Sequence, residues 1–181
     1  AGGYLSYENI ADKATVAGVE VEVRKNLFVR PLSSAANGMN KLSFGLNGSY
    51  IYTNAKMPLA TVTTGSQLEG AAPWIANFDL SHNFTKGNHS FINTLVFNYV
   101  SDKIYTIGTQ GYQDIIEQGM MTLDFVSQAK LNKYVSLTLK ARNLLNPSYK
   151  LSRKANESGE KVVLSDYKKG INISLGVSCT F

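Results

Sequence analysis

The sequence has a single cysteine, Cys179, only four prolines and one tryptophan, and 17% of its residues are charged. One cysteine excludes an internal disulfide and a cysteine-built metal cluster. Cys179 falls among apolar alternates, which reads as a small hydrophobe. Nowhere is there the continuous apolar run of roughly 18 residues that a membrane-crossing helix needs. The stretch after Ala1 shows no charged, apolar and small-residue succession of a secretion signal. Gly-rich phosphate loops, a Gly-X-Ser-X-Gly elbow and a Cys-X-X-Cys pair are also missing, so the chain reads as no enzyme and no cofactor is expected. His82 and His89 lack a carboxylate cluster that would complete a metal site. The net charge of +5 is spread along the chain without an aromatic-interleaved recognition motif, which sets nucleic acid aside as a partner.

What is present is alternation. In the last stretch, YKKGINISLGVSCTF, the odd positions from Tyr167 to Phe181 carry Ile171, Ile173, Leu175, Val177 and Cys179, while the even ones carry Asn172, Ser174, Gly176, Ser178 and Thr180. A period of two means a strand with one apolar and one polar face. The pattern recurs in VAGVEVEVRKN from Val16, in KLSFGLNGSYIYTN, in PWIANFDLSHNF, in HSFINTLVFNYVSDKIY, in MMTLDFVSQAKL and in YVSLTLKARNLLN. A transmembrane strand needs about 9–11 such residues, and a barrel hides its membrane signal by placing apolar residues at every second position. Tyr50 and Tyr52 close one apolar stripe, where a membrane interface selects rings with a wet hydroxyl.

The connections alternate as well. Those near residues 86 and 132 are tight, and the one across LFVRPLSSAANGMN is intermediate. Those near residues 63, 112 and 157 are long. Short turns at one end and long loops at the other are the asymmetry of an outer-membrane barrel. The expected fold is therefore all-β, an antiparallel up-and-down transmembrane β-barrel segment of about seven meandering strands, in one domain spanning residues 1–181. Two other architectures fit the alternation: a self-contained barrel of about eight strands, acting as a channel, adhesin or soluble lipocalin-like binder, and an assembly fragment completed by another chain.

Four stretches carry a resemblance: AGVEVEVRKNL at 17–27, LEGAAPWIANFDLSH at 68–82, ARNLLNPSY at 141–149, and a last strand ending in Phe181. They resemble the C-terminal part of TonB-dependent outer-membrane receptors, most closely the branch of glycan importers that work with a surface lipoprotein lid. The resemblance implies that the segment is roughly the last third of a barrel of about 22 strands, set in the outer membrane of a Gram-negative bacterium. It also implies that this barrel surrounds an N-terminal plug driven by an inner-membrane energy-coupling protein. Asn143 and Leu144 match the family's Asn-Leu-aromatic motif, and Leu145 stands where an aromatic is usual. Phe181 matches the terminal aromatic that resembles the family's barrel-insertion signal.

The polar alternates include Glu20, Glu22, Arg24, Asp79, Asp124, Lys130, Lys140 and Arg142, which are expected to face the lumen. Glu20 and Glu22 lie roughly 7 Å apart along one strand and point in parallel, so they line a wet surface and do not flank a scissile bond. In one long loop Tyr105, Tyr112 and Gln113 are candidates to stack on and hydrogen-bond a sugar. The six cations between Lys150 and Lys169 suit the phosphates of outer-leaflet lipopolysaccharide.

Overall fold

The computed structural model describes residues 13–32, 38–56, 67–108, 111–155 and 159–180. Phe181, most of the first polar stretch and the tips of several connections lie outside the described residues. The chain forms eleven strands: β1 (Lys13–Leu32), β2 (Gly38–Lys56), β3 (Trp74–Lys86), β4 (His89–Val100), β5 (Lys103–Thr106), β6 (Ile115–Glu117), β7 (Met120–Lys130), β8 (Val135–Arg142), β9 (Ser148–Lys154), β10 (Lys161–Lys168) and β11 (Asn172–Cys179). They make two sheets. One has seven strands in the order β1-β2-β3-β4-β7-β8-β11, and the other has four in the order β10-β9-β6-β5. Every pairing is antiparallel.

The large sheet is the meander that the alternation predicts, and its register separates the two faces. Residues directly opposite one another share a face. One row runs Phe44, Leu80, Leu95, Phe125, Ala141 and Ile173. Its neighbour on the other face runs Ser43, Ser81, Thr94, Val126, Lys140 and Ser174. On the apolar face, Val19, Val21, Leu46, Trp74, Phe78, Leu139, Ile173, Leu175 and Val177 are all exposed. An apolar face left open across a whole sheet is what hydrocarbon, not water, would cover.

The sheet does not close on itself, since β1 pairs only with β2 and β11 only with β8 among the described residues. In a membrane such edges need neighbours, because an unpaired N–H or C=O in hydrocarbon costs about several kcal/mol.

Several boundaries differ from those read in the sequence: the segment read as a charged loop from Pro147 to Asp166 forms β9 and β10, and three further differences have a local reason. β1 continues to Leu32, beyond Asn26, because a bulge at Leu27 shifts the register and swaps which alternates face which side. After it Phe28, paired with Leu42, takes the apolar face that the odd positions held before. The final strand begins at Asn172 and not at Tyr167. Gly170 adopts φ 84°, a left-handed turn that glycine tolerates without strain, and Tyr167 and Lys168 belong to β10. The fourth alternating stretch divides at Ser101–Asp102 into β4 and β5.

These breaks recur at one level. β5, β6, β9 and β10 prolong β4, β7, β8 and β11, in the same lateral order. The small sheet is thus the wall carried outward past a crease formed by residues 101–102, 118–119, 143–147 and 169–171. The β1–β2 hairpin also overshoots at this end: Tyr50 is level with Trp74, and β2 runs on to Lys56. Residues 67–73 join the overshoot to β5. The Leu68 amide donates to Thr53 Oγ1 (3.1 Å), the Gly70 amide to the Ile104 carbonyl (2.8 Å), and the Ile107 amide to Glu69 Oε1 (2.6 Å). Ala55, Ala72, Ile104 and Ile107 are buried here, so the core sits among the loops and not within the wall.

Candidate functional site

All eight charged alternates share the polar face of the large sheet. Glu20 pairs opposite Ser49, Glu22 opposite Asn47, Arg24 opposite Gly45, and Gly45 in turn opposite Asp79. Lys130 lies opposite Ser90 and Ser136, Lys140 opposite Val126 and Ser174, and Arg142 opposite Asn172. Asp124 lies opposite Val96. They do not form one cluster. Glu20, Glu22, Arg24 and Asp79 group on β1–β3, while Asp124 and Arg142 stand with the crease on β7–β8.

In the first group the side chains are linked across strands. Asn47 Nδ2 donates to Glu20 Oε1, and Asn77 Nδ2 donates to Asn47 Oδ1 (3.3 Å). Arg24 bridges Glu22 and lies 3.9 Å from Asp79 Oδ1, reaching over the strand between them. That reach exists because the intervening residue is Gly45, where a Cβ would overlap the Asp79 carboxylate. Glu22, Arg24, Asn47, Asn77 and Asp79 border a recess of about 230 Å³. Its acid and base groups are engaged with each other, which makes it a structural ladder.

The second group is held by the stretch ARNLLNPSY. Asn143 and Asn146 both take positive φ, 59° and 45°, a conformation asparagine enters more readily than most residues. The Asn143 amide donates to Asp124 Oδ1 (2.8 Å), its Nδ2 to the Gly170 carbonyl (2.7 Å), and the Gly170 amide donates to Asn146 Oδ1 (3.0 Å). The Leu144 amide donates to the Leu123 carbonyl (2.8 Å). The Asn-Leu stretch therefore ties β7, β8 and the start of β11 together at the bend, a role its backbone atoms and amide side chains perform without an aromatic at Leu145.

Above this knot Tyr149 and Lys169 join Met120, Thr122, Asp124, Arg142, Asn143 and Asn172 around a cavity of about 440 Å³. Tyr149 packs on Tyr167 at 5.1 Å between ring centroids, and Lys169 Nζ lies 5.5 Å over the Tyr149 ring. The Tyr149 hydroxyl donates to Glu117 Oε2 (3.1 Å), and Glu117 is bridged by Lys103 (3.2 Å). Burial pushes the Tyr149 phenol above its ordinary range, helped by that hydrogen bond, so the hydroxyl remains a donor. Arg142 and Lys169 have no ion-pair partner among the described residues.

The loop candidates are placed apart from this cavity. Tyr105 and Tyr112 are exposed, Arg153 stands 4.9 Å over the Tyr112 ring, and Gln113 is half-buried. Of the basic segment, Lys150, Lys154, Lys161 and Lys168 share one face of β9–β10, opposite to that of Tyr149, and Lys150 bridges Asp166 (3.2 Å). Sequence reasoning did not single out Tyr149 or Asn172 as ligand candidates, and it grouped Lys169 with the cations expected to meet lipopolysaccharide, whereas Lys169 lines this cavity. The available signal was Gly170 beside a lysine, two asparagines and a tyrosine. His82, read beside the turn, sits on the apolar face and meets Asn40 Oδ1 at 2.8 Å, while Ser127 Oγ donates to Asn93 Oδ1 (2.7 Å). These two pairs satisfy polar groups that would otherwise be costly on an apolar surface. The described residues hold no group of His, Cys, Asp and Glu able to bind a metal ion.

The family model described as TonB dependent receptor-like, beta-barrel, matches residues 1–144. No curated protein and no solved structure matches the chain. With most of the chain inside that match and a two-faced antiparallel wall open at both edges, the chain belongs to the TonB-dependent receptor β-barrel family, the outer-membrane transport barrels of Gram-negative bacteria.

Proposed function

We propose that the chain forms barrel wall and extracellular loops of a transporter that imports a large nutrient, a glycan or oligosaccharide. Its polar face lines the lumen and its apolar face meets lipid. The family implies a plug inside the barrel and an inner-membrane TonB partner that supplies the energy. Supporting this reading above all is the segregation of faces over seven registered strands. One face is a lattice of Ser, Thr, Asn and charged residues, with Arg24 paired to Glu22 and Asp79, while the other is an exposed apolar band closed at the loop end by Tyr50 packed at a tilt against Trp74, 4.5 Å between ring centroids. Small polar groups that already satisfy one another make a wet, non-adhesive lining, which a large hydroxylated solute can pass without being trapped. In this reading a surface lipoprotein lid closes over the crease and loop layer. The lysines opposite Tyr149 on β9–β10 point away from the cavity, where lipopolysaccharide phosphates would meet them.

The test is genetic and biochemical together. A strain lacking the receptor is expected to lose growth on at least one glycan supplied as sole carbon source, and to regain it with the gene restored. A surface lipoprotein is expected to co-purify with the receptor in detergent. Unchanged growth on every glycan, alongside lost uptake of a small chelate or vitamin, would replace the glycan by that cargo.

A further inference from the structure

Resting on the import reading above, we infer that the crease cavity is a cargo subsite selective for an anionic group, a carboxylate or sulfate carried on the sugar. Its lining holds two cations, Arg142 and Lys169, and one carboxylate, Asp124. Asp124 already accepts the Asn143 amide. Of the other cations, Arg24 is paired with Glu22 and Asp79, and Lys103 with Glu117, while Lys130 and Lys140, also without an ion pair among the described residues, do not line the cavity. Arg142 and Lys169 face a recess of about 440 Å³ in which neither is ion-paired among the described residues, and the two cations outnumber the single carboxylate.

Two cations sharing a partly enclosed space repel each other, and an anion that enters relieves the repulsion while gaining charge-assisted hydrogen bonds. A guanidinium presents a planar fork suited to carboxylate or sulfate oxygens, and an ammonium adds a movable point charge. Asn143 and Asn172 supply amide groups for neighbouring hydroxyls, and Tyr149 supplies an apolar wall. A cavity of this size accepts one or two sugar rings, so it reads a decoration on a longer chain. The pair is held by separate elements, Arg142 by the end of β8 and Lys169 by the turn before β11. The Asn143–Gly170–Asn146 hydrogen bonds fix those elements against each other.

The experiment measures binding to the full receptor in detergent by titration calorimetry, with three probes of matched length: an oligogalacturonate, a sulfated galactan oligomer and a neutral galactan oligomer. An anionic probe is expected to bind more tightly than the neutral one, with an affinity that falls as salt rises. The double variant Arg142→Gln with Lys169→Gln is expected to weaken that probe by roughly tenfold or more while leaving the neutral probe unchanged. Which anionic probe responds tells carboxylate from sulfate. A control, Lys154→Gln with Lys161→Gln, removes the same charge from the opposite face of β9–β10 and should change nothing. Equal loss in the control overturns the site in favour of general attraction to a basic surface. Unchanged anionic binding in the double variant, together with a lower melting temperature, overturns it in favour of a plug carboxylate as the natural partner. A receptor that binds or imports only the neutral probe also overturns this subsite, while leaving glycan import intact. Failure to bind any of the three removes this subsite, while the glycan reading falls only with unchanged growth on every glycan.

Discussion

The wall and the layer above it are built on different principles. Among the described residues of the wall below the crease only Gly45 is buried, whereas Thr53, Ala55, Ala72, Ile104, Ile107, Gly108 and Ser152 are all buried in the loop layer. The wall keeps its order through a continuous backbone ladder and leaves its apolar face to its surroundings, so the membrane replaces a core. The loop layer lies beyond hydrocarbon and must exclude water by itself, which it does with a small core stitched by residues 67–73. The contrast teaches that the described part of the loop layer carries a core of its own, and it predicts that the two regions can be destabilised separately.

The largest expected effect tests the medium as a substitute for a core. Leu95 lies between Leu80 and Phe125 on the apolar face, and its neighbour Thr94 lies between Ser81 and Val126 on the other. Leu95→Arg is expected to destabilise the receptor in lipid vesicles by about 2–4 kcal/mol, and Thr94→Arg by under about 1 kcal/mol. Denaturant titration reads both. Equal costs would mean that the apolar face is covered by protein and that the contrast drawn above is wrong.

A smaller effect is expected at Gly45. A methyl there displaces the Asp79 carboxylate and breaks its approach to Arg24, so Gly45→Ala should cost about 1–3 kcal/mol. In an Asp79→Ala background the cost should fall below about 1 kcal/mol, because the obstructing group is gone. A penalty that persists in the double variant would place the constraint in the backbone and not in the carboxylate.

The smallest concerns the loop layer alone. Tyr149→Phe removes the hydrogen bond to Glu117 and should cost roughly 0.5–1 kcal/mol, reduced because the pair is partly exposed. Amide exchange should rise in β6, β9 and β10 and stay unchanged in β3 and β4. Since the folded phenol titrates above its ordinary value of 10.0, this contribution is fully present below that pH. It is lost as pH rises through the higher folded value. Tyrosinate absorbance of wild type against Tyr149→Phe locates that step. Faster exchange throughout the wall would show that the two regions unfold as one.

Much of the wall was legible because a period of two survives wherever one face meets an apolar surroundings and the other a polar one. The seven strands, their order and the turn asymmetry followed from that alone. Where the signal failed, the reason is local. The bulge at Leu27 exchanges the faces, so Phe28 and Arg30 look out of phase with Val19, Val21 and Val23 although β1 continues. Above the crease both surfaces of a strand are exposed to water or to a small core, so YKLSRK and KVVLSDYK lose the alternation and read as a charged loop. The cavity is formed where residues distant in sequence meet, Arg142 with Lys169 and Asp124 with Asn172, and no spacing within one strand announces such a meeting.

The crease has one further consequence, for how such a receptor changes over evolutionary time. Because four strands break and restart at the same level, β5, β6, β9 and β10 form a cassette whose strand pairing, among the described residues, lies wholly on its own side of the seam. Mutations, insertions or wholesale exchange above the seam leave the ladder below it in register. A lineage can therefore revise what its receptor recognises while inheriting, unaltered, the part that inserts into the membrane.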